Sequence, residues 1–428
     1  MASCFGGQAG AYTYKILYAF CQSTACTDGA YPTGRLVLYQ GNLYGTTLGG
    51  GGAMGKGGTV FQLSFKAKKK QWTYKPLYSF CVDDPCSDGT TPAGIIVDGA
   101  GNIFGSTRSG GANGHGTIFE LTPAGKGYTH QILYNFCPPG QTFTCEDGDS
   151  PNGRLAIDSE TGNIFGSAAN GGASDAAAGV VFELRPDKNS PSGWREAPIY
   201  SFCADGGCSS GGSPSDIAMD SSGTILVSTG RYGSVYSGGS VFRLKPNKKR
   251  TAWTPQTLYV FCKTQNSLGT CPDGNIPQAV VTPGDDGVIF GSTTFGGHLN
   301  EGVIFRLTPN AKQNAYTYDV IKQFCYDQNC SKGGGPEPGA LVFDPKTGNL
   351  YGTLESFGPE NAGVVYRLKP NADASSYSQA VLHGFPDPNC ACTDGGNPMA
   401  VIMDEAGNFF GVAGYGQNDA GIVFELEK

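Results

Sequence analysis

The chain has 428 residues, of which 67 are glycine and only 15% are charged, and its formal net charge is -7. That balance lacks the basic face that sequence-independent nucleic-acid binding needs, and no apolar run approaches the roughly 18 residues of a membrane span. Long amphipathic helical patterns are missing too, so the composition suits many short strands joined by tight turns.

In chain order, the opening MASCFGGQAG has no hydrophobic signal core, and the expectation is a mature exported chain whose signal has been removed. A strand-like run, TYKILYAFC, comes next. It is followed by a loop containing Asp-Gly, then by PTGRLVLY, NLYGTT, GTVFQL and YKPLYSF. From there the order recurs. A segment of the form G-[TVSI]-[VI]-[FY]-x-L begins at Gly58, Gly116, Gly179, Gly239, Gly302, Gly363 and Gly421, at spacings of 58 to 63 residues. A GN[LIF][YF]G segment begins at Gly41, Gly101, Gly162, Gly348 and Gly407, with degenerate copies at Gly223 and Gly287. Segments of the LYxFC type end at Cys21, Cys81, Cys137, Cys203, Cys262 and Cys325, and the seventh copy, LHGFP, ends at Pro386.

Each repeat therefore carries four runs rich in β-branched and aromatic residues, broken by Gly and Asn-Gly turns. Four strands at a period near 60 predict a propeller blade, and seven copies predict an all-β, seven-bladed β-propeller of four-stranded antiparallel blades, one domain spanning 1–428. A solenoid would need capping repeats, and the sequence has none. The chain starts on a fourth-strand pattern and ends just after a third-strand pattern, GIVFELEK. Residues 12–20 are thus expected to pair with 421–426, completing the blade of 398–426, closing the ring and removing two open sheet edges.

The succession LYxF, DGxxPxG, D-x-x-GN[LI][YF]GTT, GG and GTVFxL resembles the GloVer-type tandem repeat of exported bacterial proteins, over essentially the whole chain. The resemblance implies export and a propeller-like ring, and it carries no catalytic motif. Members of that family often have a C-terminal surface anchor; here the sequence ends on a strand pattern and none is evident.

Twelve of the 15 cysteines fall in pairs between a fourth-strand pattern and the next Asp-Gly loop: Cys21 with Cys26, Cys81 with Cys86, Cys137 with Cys145, Cys203 with Cys208, Cys262 with Cys271, and Cys325 with Cys330. Paired spacing at a repeated loop predicts disulfides and an oxidising compartment. Each would be worth about 2 kcal/mol by loop-closure entropy. Zinc would require about four converging ligands, and redox catalysis usually shows C-x-x-C; neither pattern fits, so no metal and no cofactor is predicted. The pairing of Cys4, Cys390 and Cys392 stays open.

Function is expected in the connections that vary while the strands do not. Between second and third strands lie Arg108 and His115 in the second copy, Arg231, Tyr232 and Tyr236 in the fourth, Phe295 and His298 in the fifth, Glu355 and Phe357 in the sixth, and Tyr415 and Gln417 in the seventh. If the ring closes, these surround one asymmetric funnel. Arg108 and Arg231 suit a carboxylate. Phe295, Phe357 and Tyr415, with His115, suit ligand contact. The recurring Asp28, Asp88, Asp147, Asp273 and Asp394 are read first as turn formers, with a cation-binding role as the rival. His383 is read as structural. The clusters Lys66, Lys68, Lys69, Lys70 and Lys248, Lys249, Arg250 are placed in solvated loops.

Two function classes follow. One is a binding module, a monomer on the cell surface or secreted, that recognises a polysaccharide or surface glycan, most simply an acidic one; a scaffold for protein interaction is its variant. The other is a carbohydrate-active enzyme using the same funnel. In a polysaccharide lyase, Arg108 or Arg231 would neutralise a uronate while His298 or Tyr232 moves the proton. In a glycoside hydrolase Glu355 would be the acid, and the sequence shows no partner for it. Nucleotide loops, nucleophile elbows and His-Glu-x-x-His motifs do not occur.

Overall fold

In the computed structural model, the described residues are 12–52, 55–83, 85–140, 145–204, 206–277, 282–283, 287–325, 327, 329–336, 341–386 and 394–428. They form seven antiparallel sheets, and the fold class is an all-β, seven-bladed β-propeller. Blade 1 runs Ala30–Tyr39, Asn42–Gly49, Thr59–Lys66 and Gln71–Ser79. Blades 2 to 5 repeat that order from Thr90, Asp149, Gly212 and Thr282. In blade 6 the first strand is in two pieces, Gly334–Pro336 and Val342–Asp344, both paired with Asn349–Ser356. Blade 7 consists of Gly396–Met403, Phe409–Tyr415 and Ile422–Glu427, and its fourth strand is Thr13–Ala19. Thr13 lies opposite Glu427 and Ala19 opposite Ile422, so the expected completion of the last blade by the first strand is present.

By internal packing the chain divides into two compact units. A C-terminal unit contains Met1–Ala19, Ser228–Phe242 and Thr257–Lys428, and an N-terminal unit contains Phe20–Val227 and Arg243–Gln256.

Two sequence motifs turn out to be halves of one packing device. The second glycine of the GN[LIF][YF]G motif faces the aromatic residue of the third strand. A Cβ on Gly166 would stand 2.3 Å from Cζ of Phe182, and one on Gly105 2.4 Å from Cζ of Phe119. Both rings are fully buried. Phe182 packs with Phe136 of blade 2 and Leu155 of blade 3, so the ring that the glycine admits also joins successive blades.

The Asp-Gly loops are clasps. Asp88 accepts hydrogen bonds from Tyr78 Oη (2.9 Å) and Cys81 N–H (2.9 Å). Asp147 does so from Tyr134 and Cys137, and Asp273 from Tyr259 and Cys262. The next blade completes each clasp: His130 stacks on Tyr78 and Tyr318 on Tyr259, while Tyr74 and Tyr318 donate to the carbonyls of Asp28 and Asp273. In blade 7 Tyr14 stacks on His383 and donates to the Asp394 carbonyl, which gives His383 its structural role. These aspartates therefore do more than turn the chain: their carboxylates or carbonyls tie one blade to the next.

Six disulfides close the same loops, in the six pairs expected from the spacing. Cys4, Cys390 and Cys392 lie outside the described residues. Such a framework belongs to proteins that fold in an oxidising compartment. No helix among the described residues is long and apolar enough to cross a membrane.

One expectation is corrected. Arg250 is not simply solvated: its guanidinium is ion-paired with the buried Asp158 and lies 3.0 Å from Glu160. Both partners sit in the first hairpin of blade 3, next to the outer hairpin that carries Arg250. Packing of that hairpin against blade 4, invisible in a Lys-Lys-Arg run, creates the pair.

Candidate functional site

The second-to-third connections of blades 4 to 7 belong to the C-terminal unit and hold most of the predicted site residues. In blade 4, Arg231 ends its strand with its side chain exposed. Tyr232 follows at φ 61°, and its carbonyl accepts the N–H of Gly239 (3.0 Å). Tyr236, farther along, is 46% exposed.

In blade 5, the backbone of Phe295 exchanges two hydrogen bonds with Asn275 (2.8 and 3.1 Å), which leaves the phenyl ring 42% exposed. Asn300 Oδ1 accepts the N–H of Gly296 (3.0 Å) and closes the turn that presents His298 to solvent. Beside that pairing, Asn275 Oδ1 and Thr294 Oγ1 are buried without a hydrogen-bond partner among the described residues.

Blade 6 supplies Glu355 at the end of Asn349–Ser356, and Phe357 follows at φ 59° with its ring partly exposed. Here the structure adds a residue that the sequence reading missed. Glu301, from blade 5, and Glu355 flank the consecutive glycines 334 and 335. A Cβ on Gly334 would fall 2.7 Å from Glu301 Oε2 and 3.2 Å from the Phe357 ring, and one on Gly335 would fall 3.2 Å from Glu355 Oε1. The two glycines thus leave room for two carboxyl groups and an aromatic face. Gly335 N–H also donates to the Glu301 carbonyl (3.1 Å), fixing the backbone that carries the acid. Burial, and then the charge of Glu355, raises the Glu301 carboxyl above its ordinary pKa.

A signal for Glu301 was available. It precedes the glycine of the third-strand motif, where other copies have Gly57, Ala178, Gly238, Ala362 and Ala420. Only His115 and Glu301 put a functional side chain there. Its electrostatic interaction with Glu355 was not legible, because it depends on how blade 5 meets blade 6.

Tyr415 ends its blade 7 strand and is 43% exposed. The remaining candidates belong to the N-terminal unit. Arg108 is exposed one residue before the end of its strand, and His115 Nδ1 lies 3.2 Å from Asp149 Oδ1. His115 also sits near the sulfurs of Cys137 and Cys145. Those sulfurs are joined to each other, so the group presents one imidazole and no thiolate. Arg108 and Arg231, proposed as a pair on one funnel, lie in different units.

The family model described as the Gloeobacter/Verrucomicrobia repeat matches residues 5–142 and 140–336. Among curated proteins nothing matches the chain. Solved structures resemble it at low identity. A candidate 6-phosphogluconolactonase from Bacteroides fragilis is 10% identical with a TM-score of 0.50, covering 87% of this chain and 88% of its own. PorZ, a surface component of the type-IX secretion system of Porphyromonas gingivalis, is 16% identical with a TM-score of 0.50, covering 94% of this chain and 46% of its own. A candidate 6-phosphogluconolactonase from Bacteroides uniformis is 13% identical with a TM-score of 0.48, covering 86% of this chain and 88% of its own.

Proposed function

The chain belongs to the Gloeobacter/Verrucomicrobia repeat family, and we propose that it is an extracellular β-propeller that recognises a glycan through the second-to-third connections of its C-terminal unit. One observation carries this reading. Tyr236, Phe295, Phe357 and Tyr415, on four successive blades, all leave a large part of an aromatic ring in solvent. Exposed aromatics on one set of loops are costly unless something covers them. Their flat apolar faces suit the C–H faces of sugar rings, and the edges of Glu301 and Glu355 accept sugar hydroxyls. Arg231 supplies the cation that would read an acidic substituent. The disulfide framework fits a secreted or cell-surface protein.

A second reading, glycoside hydrolysis, is favoured by the adjacency of Glu301 and Glu355. The carboxyl with the raised pKa, Glu301, would be the general acid and Glu355 the second carboxyl.

Affinity electrophoresis and calorimetry against a panel of neutral and acidic polysaccharides test both. Phe295→Ala and Phe357→Ala are each expected to weaken binding about 3- to 10-fold, from roughly 0.5–1.5 kcal/mol per aromatic contact. Retention unchanged in the double variant would sink the loop site. New reducing ends that vanish in Glu301→Gln would establish hydrolysis. Ultraviolet absorbance of an unsaturated uronate would instead point to elimination and to His298 or Tyr232.

A further inference from the structure

The first strands of the N-terminal unit place charged residues at one repeat position. Blades 1 and 3 read Pro-x-Gly-Arg-Leu, giving Arg35 and Arg154, and blade 4 reads Pro-Ser-Asp-Ile, giving Asp216. Blade 2 has Gly94 there. The strands approach closely at this level: a Cβ on Gly94 would meet the Gly153 carbonyl oxygen at 2.8 Å, and one on Gly153 the Ser215 carbonyl oxygen at 2.5 Å.

Asp216 is committed to the backbone. Its Oδ1 accepts the N–H groups of Arg154 (2.9 Å) and Ile217 (2.8 Å). Its Oδ2 lies 3.4 Å from Arg154 Nε, which is buried and makes no hydrogen bond among the described residues. Among the described residues Arg154 Nη2 reaches only the Ile217 carbonyl, at 3.4 Å. Arg35 is half-buried, feels the like charge of Arg154 and the opposite charge of Asp216, and has no hydrogen bond or ion pair with a described residue. Among the described residues two guanidinium groups therefore share one carboxylate, and the cluster carries net positive charge in a partly buried position. Burying an unbalanced cation is costly unless a counter-charge joins it.

We infer that Arg35 and Arg154 hold an oxyanion between them: a carboxylate, sulfate or phosphate group, free in solution or borne on an acidic glycan. Two planar forks with open N–H donors match such a group, and Asp216 is the positioning residue that orients Arg154. Burial, and then Arg154, push the Arg35 pKa down to about 9, so it stays charged at neutral pH and available to an anion. The inference is independent of the aromatic loop site, whose residues lie in the other unit.

Thermal unfolding and calorimetry of the full chain with sodium sulfate, phosphate, glucuronate and an oligouronate, against sodium chloride at equal ionic strength, test it. A saturable rise in Tm is expected beyond the chloride control. A response to sulfate assigns a free ion, and a response to the oligouronate alone assigns a glycan's acid group. Arg35→Gln is expected to raise Tm in anion-free buffer, because it removes like-charge repulsion. It should also weaken anion binding roughly 10- to 100-fold, the worth of a charged hydrogen bond. Arg35→Lys should retain part of the binding, which covers the case in which the glutamine variant fails to fold. No saturable response to any oxyanion, or a response undiminished in both variants, would overturn the assignment.

Discussion

Replacing Glu196 by glutamine probes how the blade clasps tolerate charge. In the clasp between blades 2 and 3, Asp147 accepts from Tyr134 Oη (2.8 Å) and Cys137 N–H (2.9 Å), and Glu196 stands where blades 2 and 6 have His130 and Gln379. Glu196 Oε1 and Asp147 Oδ1 are both buried without a hydrogen-bond partner among the described residues. Burial raises the Asp147 carboxyl as well, and the hydrogen bonds it accepts from Tyr134 and Cys137 pull the other way and favour its charged form. Burial, and then the Asp147 charge, push Glu196 up to about 9 from an ordinary 4.5. The native state thus holds a proton that the unfolded chain has released across that interval. Stability contributed by the protonated form is complete below about pH 4.5 and is lost as pH rises toward 9, by at most about 1.4 kcal/mol per pH unit. At pH 7 the loss is at most about 3 kcal/mol. Glutamine has nothing to titrate. Its amide can donate to the unpartnered Asp147 oxygen, as Gln379 donates to the Lys332 carbonyl at 2.8 Å in the corresponding clasp. Glu196→Gln is therefore expected to stabilise the protein by up to about 5 kcal/mol near pH 8 and by less than about 1 kcal/mol near pH 5. Denaturant unfolding of both proteins across that range, with disulfides kept oxidised, measures the difference. Parallel pH profiles, or equal destabilisation at both ends, would refute a protonated Glu196.

Gly166→Ala should cost about 1–3 kcal/mol, because the new methyl would overlap the buried Phe182 ring. Denaturant unfolding checks this, and Gly166→Ala combined with Phe182→Leu should recover part of the loss. Residues just before the blade prolines adopt left-handed backbone in every blade, among them Thr91 (φ 58°), Gly335 (φ 64°) and Asn397 (φ 58°). A β-branched residue is strained there, so Thr91→Asn is expected to raise stability by about 1 kcal/mol, read as a higher Tm. An unchanged Tm would show that the strain is relieved elsewhere.

Much of the fold was legible because each blade reuses the same local solution. The spacing of GTVFQL-type runs counted the blades, and TYKILYAFC at the start matched the missing partner of GIVFELEK at the end. The cysteine spacing marked all six described disulfides, since each closes a loop of only a few residues. The site was read less well. His115, Phe295, Phe357 and Tyr415 stood out as departures from the repeat, and so could Glu301 have done. Arg35 and Arg154 were masked because Gly-Arg occurs in two copies and looked like part of the strand pattern.

The sequence by itself determined the strand order, the blade count, the completion of the last blade and the cross-links, all of which follow from local periodicity and short-range closure. Tertiary structure alone decided that Gly166 exists for Phe182, that Asp88 and Asp273 bind the tyrosines before them, that Arg250 is paired with Asp158, and that Glu301 feels the charge of Glu355. Each of these depends on the distance between side chains from different strands or successive blades, which the alternation of apolar and polar residues does not encode.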